Sequence, residues 1–149
     1  SSAQATTEEE AYELGLEAYI KGYPLVLTHL TSRIMTNVPF PQKARAPLNQ
    51  LAHTWEFVNA DYKDLNSPDV DTLWTMAWLD LEKEPMLFHV PKIEERFYEI
   101  TLYDAWGKSF ATIREEGEYA IVGPDWSESS RKNSLRAGSN RVWLFCRIQ

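Results

Sequence analysis

The stretch 66–81 reads NSPDVDTLWTMAWLDL and joins a polar turn to an apolar strand. Asn, Ser, Pro and Asp in succession favour a turn, because their side chains bond the local backbone and proline fixes φ. In the strand that follows, Trp74, Met76 and Trp78 share one face, and the small and aliphatic residues between them share the other. Since neither face is polar, the pattern predicts a strand inside a sheet that is covered on both sides.

The residues before this strand predict helices. Thr7-Glu8-Glu9-Glu10 has the spacing of a capping box, which predicts a helix start. Gly22-Tyr23-Pro24 predicts an interruption, because proline cannot donate to the preceding turn, and a second helix should run from Pro24 to about Met35.

After Asn66 the period of the apolar residues changes to two, which predicts strands at 72–81, 86–90, 97–103, 109–113, 119–122 and 141–148. No connection has the length and period of a crossover helix, so the sheet should be mainly antiparallel. The segment 127–138 is expected to be a mobile loop.

These elements define an α+β fold, in which N-terminal helices precede a mainly antiparallel, sandwich-like sheet. The boundary is expected after residue 37, with a helical segment at 1–37 and a β-rich domain at 38–149. Six side chains are predicted to be buried in the sheet: Leu73, Leu79, Ile100, Leu102, Val142 and Leu144.

Composition narrows the classes of partner. The 149 residues are 44% hydrophobic and 13% aromatic, enough for one domain with a core. A net charge of -7 opposes binding to nucleic acid, and no apolar run approaches the length of a membrane span. The single Cys146 is expected to be a buried, inert thiol.

The first candidate site consists of Asn49, Gln50 and His53. Amides can orient a substrate carbonyl, and an imidazole can transfer a proton near neutral pH. The alternative is structural, because Asn and Gln amides also tie loops to sheets.

A second candidate site is the carboxylate pair Asp69 and Asp71, joined by Asp64 or Asp104, for acid-base chemistry or a hard cation. The alternative is turn formation, since this Asp-x-Asp lacks the glycine and the distal glutamate of a calcium loop. The three histidines have no metal-ligand spacing, and no nucleotide-binding glycine motif is present, so neither a metal nor a cofactor is expected.

Five of the six tryptophans can be assigned a role from their position. Trp74, Trp78 and Trp143 lie in predicted strands and should be core residues. Trp106 and Trp126 follow turns or strand ends, so they are candidates for the rim of a ligand site.

Several motifs occur in an order that resembles the family catalogued as domain of unknown function 1254. They are Glu17-Ala18-Tyr19, Gly22-Tyr23-Pro24, Met35-Thr36-Asn37, the run from Pro47 to His53, Asp71-Thr72-Leu73-Trp74, Trp78-Leu79-Asp80-Leu81, Tyr103-Asp104-Ala105-Trp106 and Gly123-Pro124-Asp125-Trp126. The chain departs from the family pattern at Asp69, Trp74 and Gly107.

The resemblance implies a β-sandwich half of a larger secreted or envelope-associated protein, often followed by a second β-rich domain, unknown function 1214. It implies no particular reaction. The last predicted strand alternates apolar residues to the end of the chain without a closing turn. The chain is therefore expected to be one segment of a longer two-domain protein, and on its own to self-associate around Trp143 and Phe145.

Two functions follow as hypotheses. One is a non-catalytic sandwich that binds a small-molecule ligand, the second β-rich domain or another subunit. The other is a hydrolase acting on a small-molecule or glycan-like substrate, with His53 as acid-base, Asp71 or Asp104 as its partner, and Asn49 and Gln50 as positioning amides. Convergence of these residues in one pocket would favour the enzyme.

Overall fold

The computed structural model describes residues 6–57, 59, 61, 70–127 and 133–149, which form one helix and eight strands. The helix α1 comprises Glu8–Thr36. The strands are β1 (Ala52–His53), β2 (Leu73–Asp80), β3 (Met86–Val90), β4 (Tyr98–Tyr103), β5 (Ser109–Ile113), β6 (Gly117–Val122), β7 (Ser134–Arg136) and β8 (Arg141–Ile148). The predicted turn at 66–69 lies outside the described residues.

The strands form two sheets. The larger has the order β1-β2-β8-β4-β5 and is antiparallel throughout, and the smaller has the order β3-β6-β7. Among the described strands, β6 and β7 are the one pair that is parallel, so the prediction of an α+β fold with a mainly antiparallel sheet is confirmed.

The expectation of a loop at 127–138 is wrong in part, because Leu135 in β7 pairs with Ile121 in β6. A three-residue strand is too short to show an alternating pattern in the sequence.

Two apolar clusters cover β2 from its two sides. Leu79 lies in a cluster shared by both sheets, together with Leu102 of β4, Ile121 of β6 and Leu144 of β8. On the other side, Trp78 belongs to a cluster that includes residues from α1 and from the loop after it, namely Met35, Ala44 and Ala46. The prediction of a strand covered on both faces is therefore confirmed.

Five of the six side chains predicted to be buried are buried, and Leu73 is only partly covered. Leu73 is the first residue of β2 and pairs with Ile148 at the end of β8, so it lies at the margin of the sheet.

The helix α1 begins as predicted, with a capping box. The Thr7 hydroxyl accepts from the Glu10 backbone N–H at 3.2 Å, and the Thr7 backbone N–H donates to Glu10 Oε2 at 2.9 Å. The predicted interruption at Pro24 is wrong, because α1 is continuous through it. Proline removes only its own donor to the carbonyl of Ile20, and this turn is exposed, so water can replace the lost bond.

Removing core volume between the sheets should be costly. Leu144→Ala is expected to lower the free energy of unfolding by about 2–5 kcal/mol, because Leu144 is fully buried and its side chain would leave a cavity. Leu87→Ala in β3 is the matched control, since Leu87 is 54% exposed. Chemical denaturation measures both changes, and equal losses would contradict this description of the core.

Candidate functional site

A surface depression of about 680 Å³ lies beside β1. Its lining combines aromatic, amide and charged side chains from the loop after α1 and from β1 and its continuation. The lining residues are Pro41, Gln42, Lys43, His53, Thr54, Trp55, Glu56, Phe57, Asn59 and Asp61.

Short hydrogen bonds to β2 hold the wall of this depression. Ala52 pairs with Met76, and His53 pairs with Thr75. Immediately after β1, the Thr54 backbone N–H donates to the Trp74 carbonyl at 2.8 Å, and the Trp74 N–H donates to Thr54 Oγ1 at 2.7 Å. Because side chains alternate along a strand, the buried Ala52 anchors β1 while His53 points to the surface.

His53 is exposed and lies beside an exposed tryptophan. Its Nδ1 is 2.8 Å from Thr75 Oγ1, and its ring centroid is 5.7 Å from that of Trp55. Trp55 is 83% exposed, and Glu56 and Lys43 line the same depression. The site therefore places an imidazole, a carboxylate, an ammonium group and a flat apolar face around one concave surface.

Asn49 and Gln50 lie outside this lining. The Asn49 backbone N–H donates to the Trp78 carbonyl at 2.8 Å, and its Oδ1 accepts from the Asp80 N–H at 2.8 Å. Asn49 also has a φ of 64°, a conformation that asparagine tolerates better than most residues. It thus fixes the loop to the end of β2, while the backbone of Gln50 donates to Pro47.

Asp104 is buried in the turn after β4. Its Oδ1 accepts from the backbone N–H groups of Trp106 at 2.9 Å and Lys108 at 3.0 Å. Gly107, with a φ of 72°, completes the turn. Because β1 and β4 are three strand positions apart in the sheet, roughly 14 Å, the fold does not bring Asp104 and His53 into one pair.

The remaining predicted site residues are dispersed. Asp71 is exposed and lies just before β2. It is near the end of β2 that pairs with β1, but it does not line the depression. Trp106 is 51% exposed on the Asp104 turn. Trp126 lies after β6, where its carbonyl accepts from Arg136 at 2.7 Å. Asp64 and Asp69 are outside the described residues.

Two ionisable side chains outside the depression have shifted pKa values with clear structural causes. Hydrogen bonding from Arg114 lowers the pKa of Glu99, with Arg147 adding to the effect. Burial raises the pKa of the Cys146 thiol to about 11, so this thiol is protonated and a poor nucleophile at neutral pH.

Within the described ranges, no group of three His, Cys, Asp or Glu side chains is placed to hold a metal ion. No helix in the same part of the chain combines the length and the apolar character needed to cross a membrane.

Sequence reasoning missed Lys43, Trp55 and Glu56 as site residues. The signal for Trp55 was its position two residues after His53, which puts both side chains on one side of an extended segment. Lys43 gave no such signal, because only the turn after α1 brings it to β1.

The fold and the depression define a two-sheet α+β domain with a mixed aromatic and polar surface site. The model of a protein family described as "Protein of unknown function (DUF1254)" matches residues 48–149. The chain belongs to this family. A search of curated proteins found no match.

Among solved structures, the chain is similar to the VPA0106 protein from Vibrio parahaemolyticus, with a TM-score of 0.67 and 25% sequence identity. The similarity covers 92% of this chain and 33% of that one, so the chain spans about a third of the length of the solved protein.

The two backbone hydrogen bonds that the Asp104 side chain accepts predict a structural role for it. Asp104→Ala should lower the free energy of unfolding by about 1–3 kcal/mol, because two backbone donors lose their acceptor. Asp104→Asn retains one carbonyl oxygen and should cost less. The control is His53→Ala, which removes one exposed hydrogen bond and should cost below about 1 kcal/mol. An Asp104→Ala variant as stable as the wild type would exclude this role.

Proposed function

We propose that this chain is an interaction domain that docks on protein through α1. The observation that supports the proposal is a set of nine large apolar side chains along α1, each 48–71% exposed. We call this set the α1 stripe. It consists of Tyr12, Leu16, Tyr19, Ile20, Tyr23, Val26, Leu27, Leu30 and Ile34.

The α1 stripe faces away from the sheets. At about 100° per residue, its members occupy a sector of roughly 120° on the helix. The buried or partly buried residues of α1 include Thr28, Ser32 and Met35, which lie on the opposite side. The helix thus packs on its own domain through Met35 and smaller polar residues such as Ser32, and it leaves the nine large apolar residues of the stripe outside.

Exposing so many large apolar side chains to water is unfavourable for a helix that has no partner. Most helical stability in proteins comes from packing of an amphipathic face, and burying one such side chain is worth about 1.5–3 kcal/mol. In its first half α1 has only exposed residues, so its own domain contributes little cover there. A contiguous apolar surface of this kind is typical of a protein contact.

The partners that fit this surface are a second β-rich domain of a longer polypeptide or another subunit. The threefold length of the solved relative supports the presence of further protein around a domain of this type. A location outside the cytoplasm is part of the proposal and rests on the family resemblance alone.

Polar substitutions test the docking surface. We expect the combined change Leu16→Gln, Tyr23→Gln and Leu30→Gln to abolish binding of a hydrophobic dye and to reduce association in sedimentation. Unfolding free energy should stay within about 0.5 kcal/mol per site, because these side chains are exposed. The matched control is Leu14→Gln with Leu87→Gln, two changes at 60% and 54% exposed leucines outside the stripe.

Two results would overturn the proposal. One is dye binding and association by the stripe variant equal to those of the wild type. The other is a large loss of stability at protein concentrations too low for association, because it would show that the stripe already packs within its own domain.

A second candidate function is binding, or hydrolysis, of a small or glycan-like molecule in the depression beside β1. The exposed indole of Trp55 beside His53 favours it, since flat aromatic faces stack on sugar rings and an imidazole can transfer a proton. In this geometry Glu56, which lines the same surface, is a closer carboxylate candidate than Asp104.

Titration with neutral oligosaccharides tests this candidate. We expect Trp55→Ala to weaken binding at least tenfold, and His53→Ala to abolish any hydrolysis while leaving the thermal midpoint nearly unchanged. Trp106→Ala, which changes an exposed indole on a distant turn, is the control and should retain binding. Equal affinities for the Trp55 and Trp106 variants would exclude the depression as the site.

A further inference from the structure

The spacing of the α1 stripe identifies the kind of element that can cover it. Its central members Tyr12, Leu16, Tyr19, Tyr23, Val26 and Leu30 are separated by alternating steps of four and three residues. This is the heptad spacing with which one helix packs against another. A stripe of this kind fits a helical partner better than the face of a sheet.

The α1 stripe is also complementary to a second copy of itself in the antiparallel orientation. If two copies of α1 run antiparallel with Tyr23 opposite Tyr23, each stripe residue meets another stripe residue at the same level. The levels are Tyr12 with Ile34, Leu16 with Leu30, Tyr19 with Leu27, and Ile20 with Val26. One register therefore places all nine side chains in a two-fold symmetric contact.

Charge favours the antiparallel direction. The first half of α1 carries five glutamates, at positions 8, 9, 10, 13 and 17. From Lys21 onward the helix has no acidic residue and includes His29 and Arg33. Antiparallel pairing places the acidic half of each helix beside the basic half of the other, whereas parallel pairing would bring the two acidic ends together. The acidic half also opposes an anionic lipid surface as the alternative partner.

The domain leaves room for this partner. Because the residues that pack on the sheets lie opposite the stripe, a second helix can approach from the open side along its whole length. The contact from Tyr12 to Ile34 would extend over about 33 Å at 1.5 Å per residue.

We infer that the partner of the α1 stripe is the α1 of a second copy of this chain, packed antiparallel about Tyr23. This inference rests on the proposed docking function and names its occupant.

Cysteine cross-linking tests the register, in a Cys146→Ser background that removes the native thiol. A disulfide requires Cα atoms within about 7 Å. Under mild oxidation, Tyr23→Cys should form a covalent dimer, and a mixture of Tyr12→Cys with Ile34→Cys should form the mixed dimer. Tyr12→Cys alone should stay monomeric, because its two copies would be about 33 Å apart. Leu14→Cys, off the stripe, is the control, and circular dichroism verifies that each variant is folded.

Sedimentation equilibrium of the unmodified chain completes the test, with a monomer–dimer transition expected and its loss expected for the stripe variant. A cross-link of Tyr12→Cys with itself would overturn the antiparallel pair. A monomer at every concentration without cross-links, in a chain whose stripe still binds dye, would also overturn it, while leaving the docking function to another domain. If the stripe variant changed neither dye binding nor association, both proposals would fail.

Discussion

The two apolar faces of β2 are the constraint on which the rest of the structure depends. Trp78 and Leu79 are adjacent residues that point to opposite sides, and both are almost fully buried. One side requires a second sheet, which the strands from β3, β6 and β7 provide. The other side requires a different cover, which comes from the end of α1 and the small residues Ala44 and Ala46. The larger sheet is therefore covered on both sides at β2, because neither face of this strand tolerates contact with water.

The need for cover on this side of β2 also explains why only the end of α1 packs on its own domain. Only its last turns are needed over β2, where Met35 is buried, and small residues such as Ser32 allow close approach. The rest of the 29-residue helix extends past the cover it provides. Its large apolar side chains are then exposed on the face opposite the one that closes the core.

The polar residues that suggested chemistry in the sequence serve mostly as connections in the fold. Asn49 secures the loop to β2, and Asp104 accepts two backbone donors in a tight turn. Both are explained by the need to satisfy backbone groups near strand ends. His53 differs, because its exposed ring faces a depression together with Trp55 rather than completing a turn. This depression thus lies at the β1 edge of the larger sheet, three strand positions from β4 and the Asp104 turn.

The sequence alone determined the elements with strong local signals: the capping box at Thr7, the buried strand containing Trp78, and the strands that alternate over five or more residues. Their periods and caps are local properties, so no knowledge of distant residues is needed. Tertiary structure alone decided that α1 continues through Pro24, that Leu135 pairs with Ile121, and that Lys43 lines the same depression as His53. It also decided which side of α1 is covered. These outcomes depend on which surfaces come into contact when the chain folds. Contacts between residues far apart in sequence leave no local pattern from which they could be predicted.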